Sequence, residues 1–432
     1  MNRRMNILLC VCLALGIALT ALGIYAGGNQ ARVLEINQNI ANAKKQEAAV
    51  EAAKLLGREI TVEVGENVEV TEADEFILLL SKVQKPALAI GIDLLLIGAL
   101  GLIMQIIKRN KKADGARGKA GSGSNIWGIL LAFLALCLNL TIMTDKFLDS
   151  QNLLNVLQQI SINFVIAIGM TFVIISGGID LSVGSNIALS GLLMAILMKN
   201  FNVGVFPTIL ICFLFSGLVG LLNGVMIAYL DLPPFIATLG MMSIARGAAY
   251  TVTGGQPLYT MPAGFTAVSN RVAGIPLYAI LIMLTVFALA WYALRYTRAG
   301  RFTYAIGGNE SCAKLSGINI NRAKIIVYTV SGLCCGVAAL LLTSRLDSAV
   351  PTNAEGQEMD AIAAVVIGGT SMKGGEGSML GTLIGILIIG IISNGLNLLG
   401  VAQGPQKMVK GLIIVVAVII DVLRRKSAES AK

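Results

Sequence analysis

Apolar residues run along the chain in long blocks interrupted by short glycine-rich or charged stretches, and these blocks set the expected elements. One runs from Ile7 to about Tyr25 and a second from Ala87 to Ile107. From Ile126 onward the blocks come close together and predict crossings near 126–143, 156–176, 183–198, 207–229, 236–253, 277–294, 325–343, 359–369, 378–398 and 405–423. A helix needs about 20 mostly apolar residues to cross a bilayer. The expected fold class is therefore an all-α polytopic membrane protein of about twelve segments. A ten-helix core follows an extra N-terminal helix pair.

The divisions follow the same pattern. Residues 1–25 form an N-terminal transmembrane helix, 26–86 a small extracytoplasmic insert, and 87–107 a second transmembrane helix. Residues 108–125 are a basic cytoplasmic linker, 126–425 the core and 426–432 a cytoplasmic tail. The first block resembles a signal peptide, with Arg3 and Arg4 ahead of an apolar run, but no small-x-small cleavage site follows. We read it as an uncleaved helix. The insert carries ten acidic and seven basic side chains; its first half, Arg32 to Leu56, reads as a solvated helix and Glu59 to Val64 alternates like a strand.

Composition agrees with a membrane protein. Hydrophobic residues make up 56% and charged residues 13%, whereas a soluble domain carries about 25% charged. The net charge of +9 lies in short clusters beside apolar blocks, so it marks topology rather than nucleic-acid binding. Residues 108–119 hold six basic and one acidic residue, and so do residues 295–324. Both fall on the cytoplasmic side when the crossings alternate, whereas 344–358, with one basic and three acidic residues, falls outside. Both termini are then cytoplasmic. There is no histidine and no C-x-x-C, and most of the seven cysteines sit in apolar blocks. His-based catalysis, a zinc site and a disulfide framework lose their usual groups.

Three stretches depart from simple crossing helices. In VIISGGIDLSVGS (Val173 to Ser185) the apolar run breaks at Gly177-Gly178 and an acid, Asp180, follows. The cytoplasmic AIGGNESCAKLSGINI (Ala305 to Ile320) has a helix-compatible stretch that Gly317 can stop. EMDAIAAVVIGGTSMKGGEGSMLGTLIG (Glu358 to Gly385) breaks again at Gly-Gly. The first and third echo each other, as in a transporter repeat, but both breaks are expected on the cytoplasmic side, so the echo does not make an inverted pair.

These stretches occur in order with LPPFIATLGMMSIARG, NGLNLLG and KGLIIVVAVIIDVLRRK. Together they resemble the ribose-type sugar permeases of bacterial ABC importers, over roughly residues 126 to 425. The extra helix pair and insert depart from that pattern. The resemblance implies a permease dimer in the bacterial cytoplasmic membrane, a homodimer by expectation, with a cytoplasmic sugar-import ATPase beneath it and a soluble extracytoplasmic sugar-binding protein. Its coupling loop, which seats in the ATPase, falls on Gly307, Gly308, Asn309, Glu310, Ala313, Ser316 and Gly317. Ser311-Cys312 stands where paired small residues such as alanines are usual. The cargo implied is a monosaccharide: ribose, a related pentose or hexose, or a galactoside.

The chain lacks G-x-x-x-x-G-K-[ST], and its GGTSMKGGEGS string has no Lys-Ser/Thr ending to hold phosphates and Mg²⁺. It is thus expected to be a transport subunit without enzymatic activity or a cofactor of its own, ATP being bound by the partner. For the translocation path the candidates are polar residues within or at the ends of spans: Asn163, Asp180, Ser182, Asn186, Asn223, Arg246, Asp360 and Asn394. Ionisable groups inside a bilayer cost about 2.5–3.5 kcal/mol on insertion scales and so turn toward the bundle interior or a cavity. Asn and Ser also pack helices at about 1 kcal/mol each, and Asp180 suits a helix N-terminus as well as a path. Two other classes stand beside the importer: an ion-coupled secondary carrier for a small polar solute, disfavoured by the GGN loop and the lack of an acid relay, and a membrane enzyme, for which no nucleophile-base pair is present.

Overall fold

The computed structural model describes residues 123–272 and 274–429, together with Gln38. The helices expected at 1–25 and 87–107, the insert at 26–86 and most of the linker at 108–125 lie outside the described residues. The described chain is almost wholly helical. In order come α1 (Gly123–Met143), α2 (Ser150–Ile175), α3 (Val183–Lys199), α4 (Val205–Tyr229) and α5 (Pro234–Thr253). A connection follows, with α6 (Ala263–Thr266) and one 3-10 turn (Ala267–Ser269), then α7 (Leu277–Tyr296). Next are α8 (Arg298–Gly308), α9 (Glu310–Leu315), α10 (Ile320–Leu346), α11 (Gln357–Ile367), α12 (Met379–Leu398) and α13 (Gln403–Glu429).

Every core crossing expected from the apolar blocks has a helix, but two begin earlier than hydropathy indicates. α2 opens at Ser150 because Arg271 donates to Gln151 Oε1 at 2.7 Å and to Asn155 Oδ1 at 2.6 Å, holding a polar first turn in place. α10 opens at Ile320 because Asn319 caps it, its Oδ1 accepting from the Arg322 amide at 3.0 Å. The structure also adds a feature that an all-α reading leaves out. Leu258–Tyr259 (β1) and Ser348–Ala349 (β2) pair antiparallel, Leu258 opposite Ala349 and Tyr259 opposite Ser348.

Among the described residues six helices are long and apolar enough to cross a membrane: α2, α4, α5, α7, α10 and α12. Burial sorts most of them into inner and outer. The most apolar window of α2 is 94% buried and that of α10 61%, whereas those of α4, α5 and α7 are 33%, 28% and 22% buried. Leu210, Leu214 and Leu218 on α4, Phe235 and Ile236 on α5, and Leu281, Leu284 and Leu289 on α7 are exposed. Such rows of large apolar side chains are stable against lipid tails, not water.

The described residues fall into two compact units. Cys137–Thr144 and Gly395–Gln403 form one, with Leu140 packed over Gly395. In the other, α10 makes its most extensive contact with α4 and also packs on α2 and α3. The α4–α10 seam is built from small residues. A β-carbon on Gly220 would overlap the Tyr328 carbonyl and crowd Gly332, one on Gly224 would crowd Ile325, and one on Gly336 would press on Phe213 and Ser216. Ser216 Oγ donates across the seam to the Gly332 carbonyl at 2.7 Å. Small residues spaced four apart let two helix backbones approach closely where no hydrophobic effect drives them together.

Candidate functional site

α8 and α9 make an angular connection between α7 and α10, and local sequence dictates each joint. Thr297 caps α8, its Oγ1 accepting from the Gly300 amide at 3.3 Å. Asn309 ends α8 and caps α9, its Oδ1 accepting from the Cys312 amide at 2.9 Å. Gly317, at φ +81°, closes α9 in the left-handed conformation, with the Ile318 amide bonded back to the Ala313 carbonyl at 3.1 Å. Ala313 is buried in a small apolar cluster with Ile306, Ile320 and Ala323. The opposite face carries Ser311, Cys312 and Ser316, all exposed, and Leu315, which is 89% exposed. Glu310 pairs with Lys324 at 2.8 Å. Both partners are partly in solvent, so the pair adds about 0–1 kcal/mol.

The break after α2 holds a buried polar cluster. Asp180 Oδ1 accepts from the Ser182 amide at 3.0 Å and from Ser182 Oγ at 2.6 Å, and Oδ2 accepts from Ser331 Oγ on α10 at 2.9 Å. Asn223 Nδ2 on α4 donates to Ser182 Oγ at 2.8 Å. One turn into α3, Asn186 Oδ1 accepts from Ser216 Oγ at 3.1 Å and from Ser190 Oγ at 3.2 Å. Three of the residues expected along a path, Asp180, Ser182 and Asn223, thus form one bonded set with Ser331, and Asn186 forms a second set with Ser190 and Ser216 one turn on; together they join α3, α4 and α10. Asp180 precedes α3 by two residues and closes a tight turn onto Ser182 instead of bonding the amides of the first helical turn. Tyr328 is buried beside this group, and among the described residues the buried Asn223 Oδ1 has no hydrogen-bond partner.

A second group lies on the segment from Val350 to Asp360. Arg246 Nη1 on α5 donates to the Pro351 carbonyl and, at 3.0 Å, to the Asn353 carbonyl. Asp360 pairs with Lys410 of α13 at 2.7 Å. Glu358 is buried, its Oε1 accepting from the Gly356 amide at 3.2 Å while Oε2 is unpaired. A β-carbon on Gly184 would overlap the Glu358 carboxylate and the Ala354 carbonyl. This segment therefore reaches the first turn of α3, two residues from Ser182, so the two polar groups are neighbours.

Asn163 and Asn394 stand apart from both groups. Asn163 is buried along α2, about three turns before the break. Asn394 exchanges hydrogen bonds with Asn152, Nδ2 to Oδ1 in each direction, at 2.8 and 3.1 Å, and so joins the first turn of α2 to α12. Asn394→Leu is expected to lower stability by about 1 kcal/mol, the usual worth of such an inter-helix pair. A modest drop in melting temperature of the detergent-purified protein, with sugar uptake retained, is the readout.

Ser216, Ser331, Tyr328, Glu358 and Lys410 were not among the expected site residues. Lys410 left a signal, a cation directly at the head of the apolar run GLIIVVAVII that calls for an acid partner. Ser216 and Ser331 left none, because serine inside an apolar helix is common and its partner is set by packing.

The chain matches the family model described as "Branched-chain amino acid transport system / permease component" over residues 152–418. It is 44% identical to the ribose import permease protein of Escherichia coli (strain K12) over 300 residues, 68% of this chain and 92% of that relative. It is 46% identical to the ribose import permease protein of Bacillus subtilis (strain 168) over 306 residues, 70% and 93% of the two chains. The galactose/methyl galactoside import permease protein of Escherichia coli (strain K12) is 34% identical over 319 residues, 69% and 94%. No solved structure gives a significant match. With its apolar crossing helices and its break-and-connection architecture, the chain belongs to the ribose-type sugar permeases of ABC importers, multi-pass proteins of the inner membrane.

Proposed function

We propose that this chain is the membrane subunit of an importer that moves a monosaccharide inward, driven by ATP hydrolysis on a separate ATPase and supplied by an extracytoplasmic sugar-binding protein. Ribose or a related pentose, hexose or galactoside is the cargo, in line with what the relatives are named for. The single observation that carries this reading is the α8–α9 connection. It is a capped, rigid pair of short helices on a basic segment, presenting the 89%-exposed Leu315. A leucine held in water on a rigid helix suits a partner's apolar groove. The ATPase-coupling segment is then Gly307, Gly308, Asn309, Glu310, Ala313, Ser316 and Gly317; Gly307 and Ala313 pack inward and position it, and the outward residues bind with Leu315 added as their apolar contact.

In this reading twelve segments cross the membrane, both termini are cytoplasmic, two copies of the chain pair as a homodimer, and the chain carries no cofactor. The path runs past the two neighbouring polar groups. Arg246, Asp360 and Glu358 face it, while Asp180, Ser182, Asn186 and Asn223 hold the start of α3 that forms its wall. Asn163 and Asn394 line or brace the same bundle. A sugar hydroxyl both donates and accepts, so the unpaired Glu358 Oε2 suits it as an acceptor.

Affinity purification of the full chain from detergent, co-expressed with a ribose-importer ATPase, tests the reading. Wild type is expected to retain the ATPase and Leu315→Asp to lose it, with both eluting as the same monodisperse species. No ATPase with wild type, together with sugar uptake into vesicles free of ATP, would replace this reading by an ion-coupled secondary carrier.

A further inference from the structure

The three glycine-rich stretches, far apart in sequence, converge on one face of α8. Tyr304, Gly307 and Gly308 lie three and four residues apart and so share that face. A β-carbon on Gly307 would overlap the Ile175 carbonyl at the end of α2 and crowd the Gly375 amide. One on Gly374 would crowd Gly177 and Gly307, and one on Gly375 would crowd Gly308. The Gly375 amide donates to the Ile175 carbonyl at 2.9 Å. Beside them, Tyr304 Oη donates to the Gly377 carbonyl at 2.9 Å. Burial pushes the Tyr304 phenol up from its ordinary range, so it remains a protonated donor.

We infer, resting on the importer reading above, that this interlocked backbone junction passes the motion of the coupling helices to both breaks, with Tyr304 as the positioning residue that latches α8 to the second. The reason is mechanical. Where side chains meet, a rotamer change absorbs a small displacement; where three backbone segments touch through glycines, the contact moves as a body. Gly177 lies in the seven-residue link 176–182 into α3, and Gly374–Gly377 lie in the link 368–378 into α12. A shift of α8 therefore reaches the helix that carries Asn186 and the helix that carries Asn394 at the same time. Both breaks lie against α8. At Gly374 and Gly375 the positive φ values of +87° and +77° make a side chain unfavourable as well as crowded, and at Gly177 the φ of +85° alone disfavours one.

The test uses the full permease–ATPase complex, in a Cys312→Ser background, with spin labels on Arg301→Cys, exposed on α8, and Asn200→Cys just beyond α3. Distances are measured without nucleotide and after trapping with ATP and vanadate. In the parent complex the distance distribution is expected to shift on trapping. Tyr304→Phe, which removes one hydroxyl, and Gly307→Ala are expected to keep the ATPase bound yet lose most of that shift, and to lower ATP-driven ribose uptake by about tenfold, the scale of an inter-site coupling. Gly247→Ala, where a β-carbon meets nothing within 4 Å, should behave as the parent. A full shift in both junction variants would overturn the inference. Absence of the ATPase from the parent complex would instead fail the importer reading, and the inference with it.

Discussion

Gly220→Leu is expected to abolish the monodisperse, folded form of the protein, the largest effect foreseen for any single substitution here. The α4–α10 seam is the most extensive helix contact in the described chain, and Gly220 is where the two backbones come nearest. Adding methylenes to a close-packed site costs about 1–3 kcal/mol when neighbours can shift. Here the neighbours are the Tyr328 carbonyl and the Gly332 backbone of a helix that also packs on α2 and α3, so relief requires separating whole helices. That separation breaks the Ser216–Gly332 hydrogen bond and strips Asn186 of its Ser216 donor. Gly240→Leu on exposed α5, where a β-carbon meets nothing within 4 Å, supplies the control and should elute as wild type. Size-exclusion profiles of the two variants in the same detergent read the difference. A wild-type profile for Gly220→Leu would mean that the seam is not as tight as described.

The seam was legible as spacing, since Ser216, Gly220 and Gly224 recur every fourth residue in an apolar run, a pattern that marks helix contact in membranes. What spacing does not name is the partner. Gly332 and Gly336 lie more than 100 residues on, and only packing brings them opposite. The same limit governs Asp180. Its place at the break, directly before α3, could be read from Gly177-Gly178 and the resumption of apolar residues. Ser331 could not, because it is 151 residues away and looks like any small residue of α10. The helix starts at Ser150 and Ile320 escaped hydropathy because polar side chains cap or clamp those turns, and a hydropathy window sees only apolar content. The coupling segment was legible for the opposite reason. Its caps are local, from Asn309 to Cys312 and from Gly317 back to Ala313, so neighbouring residues carry the whole signal. The glycine strings were visible and their purpose was not, since a glycine required for close approach cannot be told by sequence from one required for a turn.

Asp180→Ala is expected to destabilise the protein severely and Asp180→Asn only slightly, and the contrast separates a carboxylate that ties the fold from one that serves transport. The carboxylate accepts from the Ser182 amide and hydroxyl on one oxygen and from Ser331 on the other, and it is 2% exposed. Alanine leaves all three donors without an acceptor inside the bundle. Each unsatisfied donor costs about 1–3 kcal/mol, and the start of α3 loses its tie to α10. Asparagine keeps Oδ1 for Ser182 and turns Nδ2 toward Ser331, whose hydroxyl can rotate to accept. The exchange of charged for neutral hydrogen bonds then costs about 1 kcal/mol. Melting temperature in detergent should fall sharply for Asp180→Ala and little for Asp180→Asn, and Ser331→Ala should fall between them. Sugar uptake decides the second half. If Asp180 works by holding the wall of the path, Asp180→Asn transports at close to the wild-type level. If it instead needs its charge, Asp180→Asn is stable and inactive, and the carboxylate belongs with Arg246, Glu358 and Asp360 on the path itself.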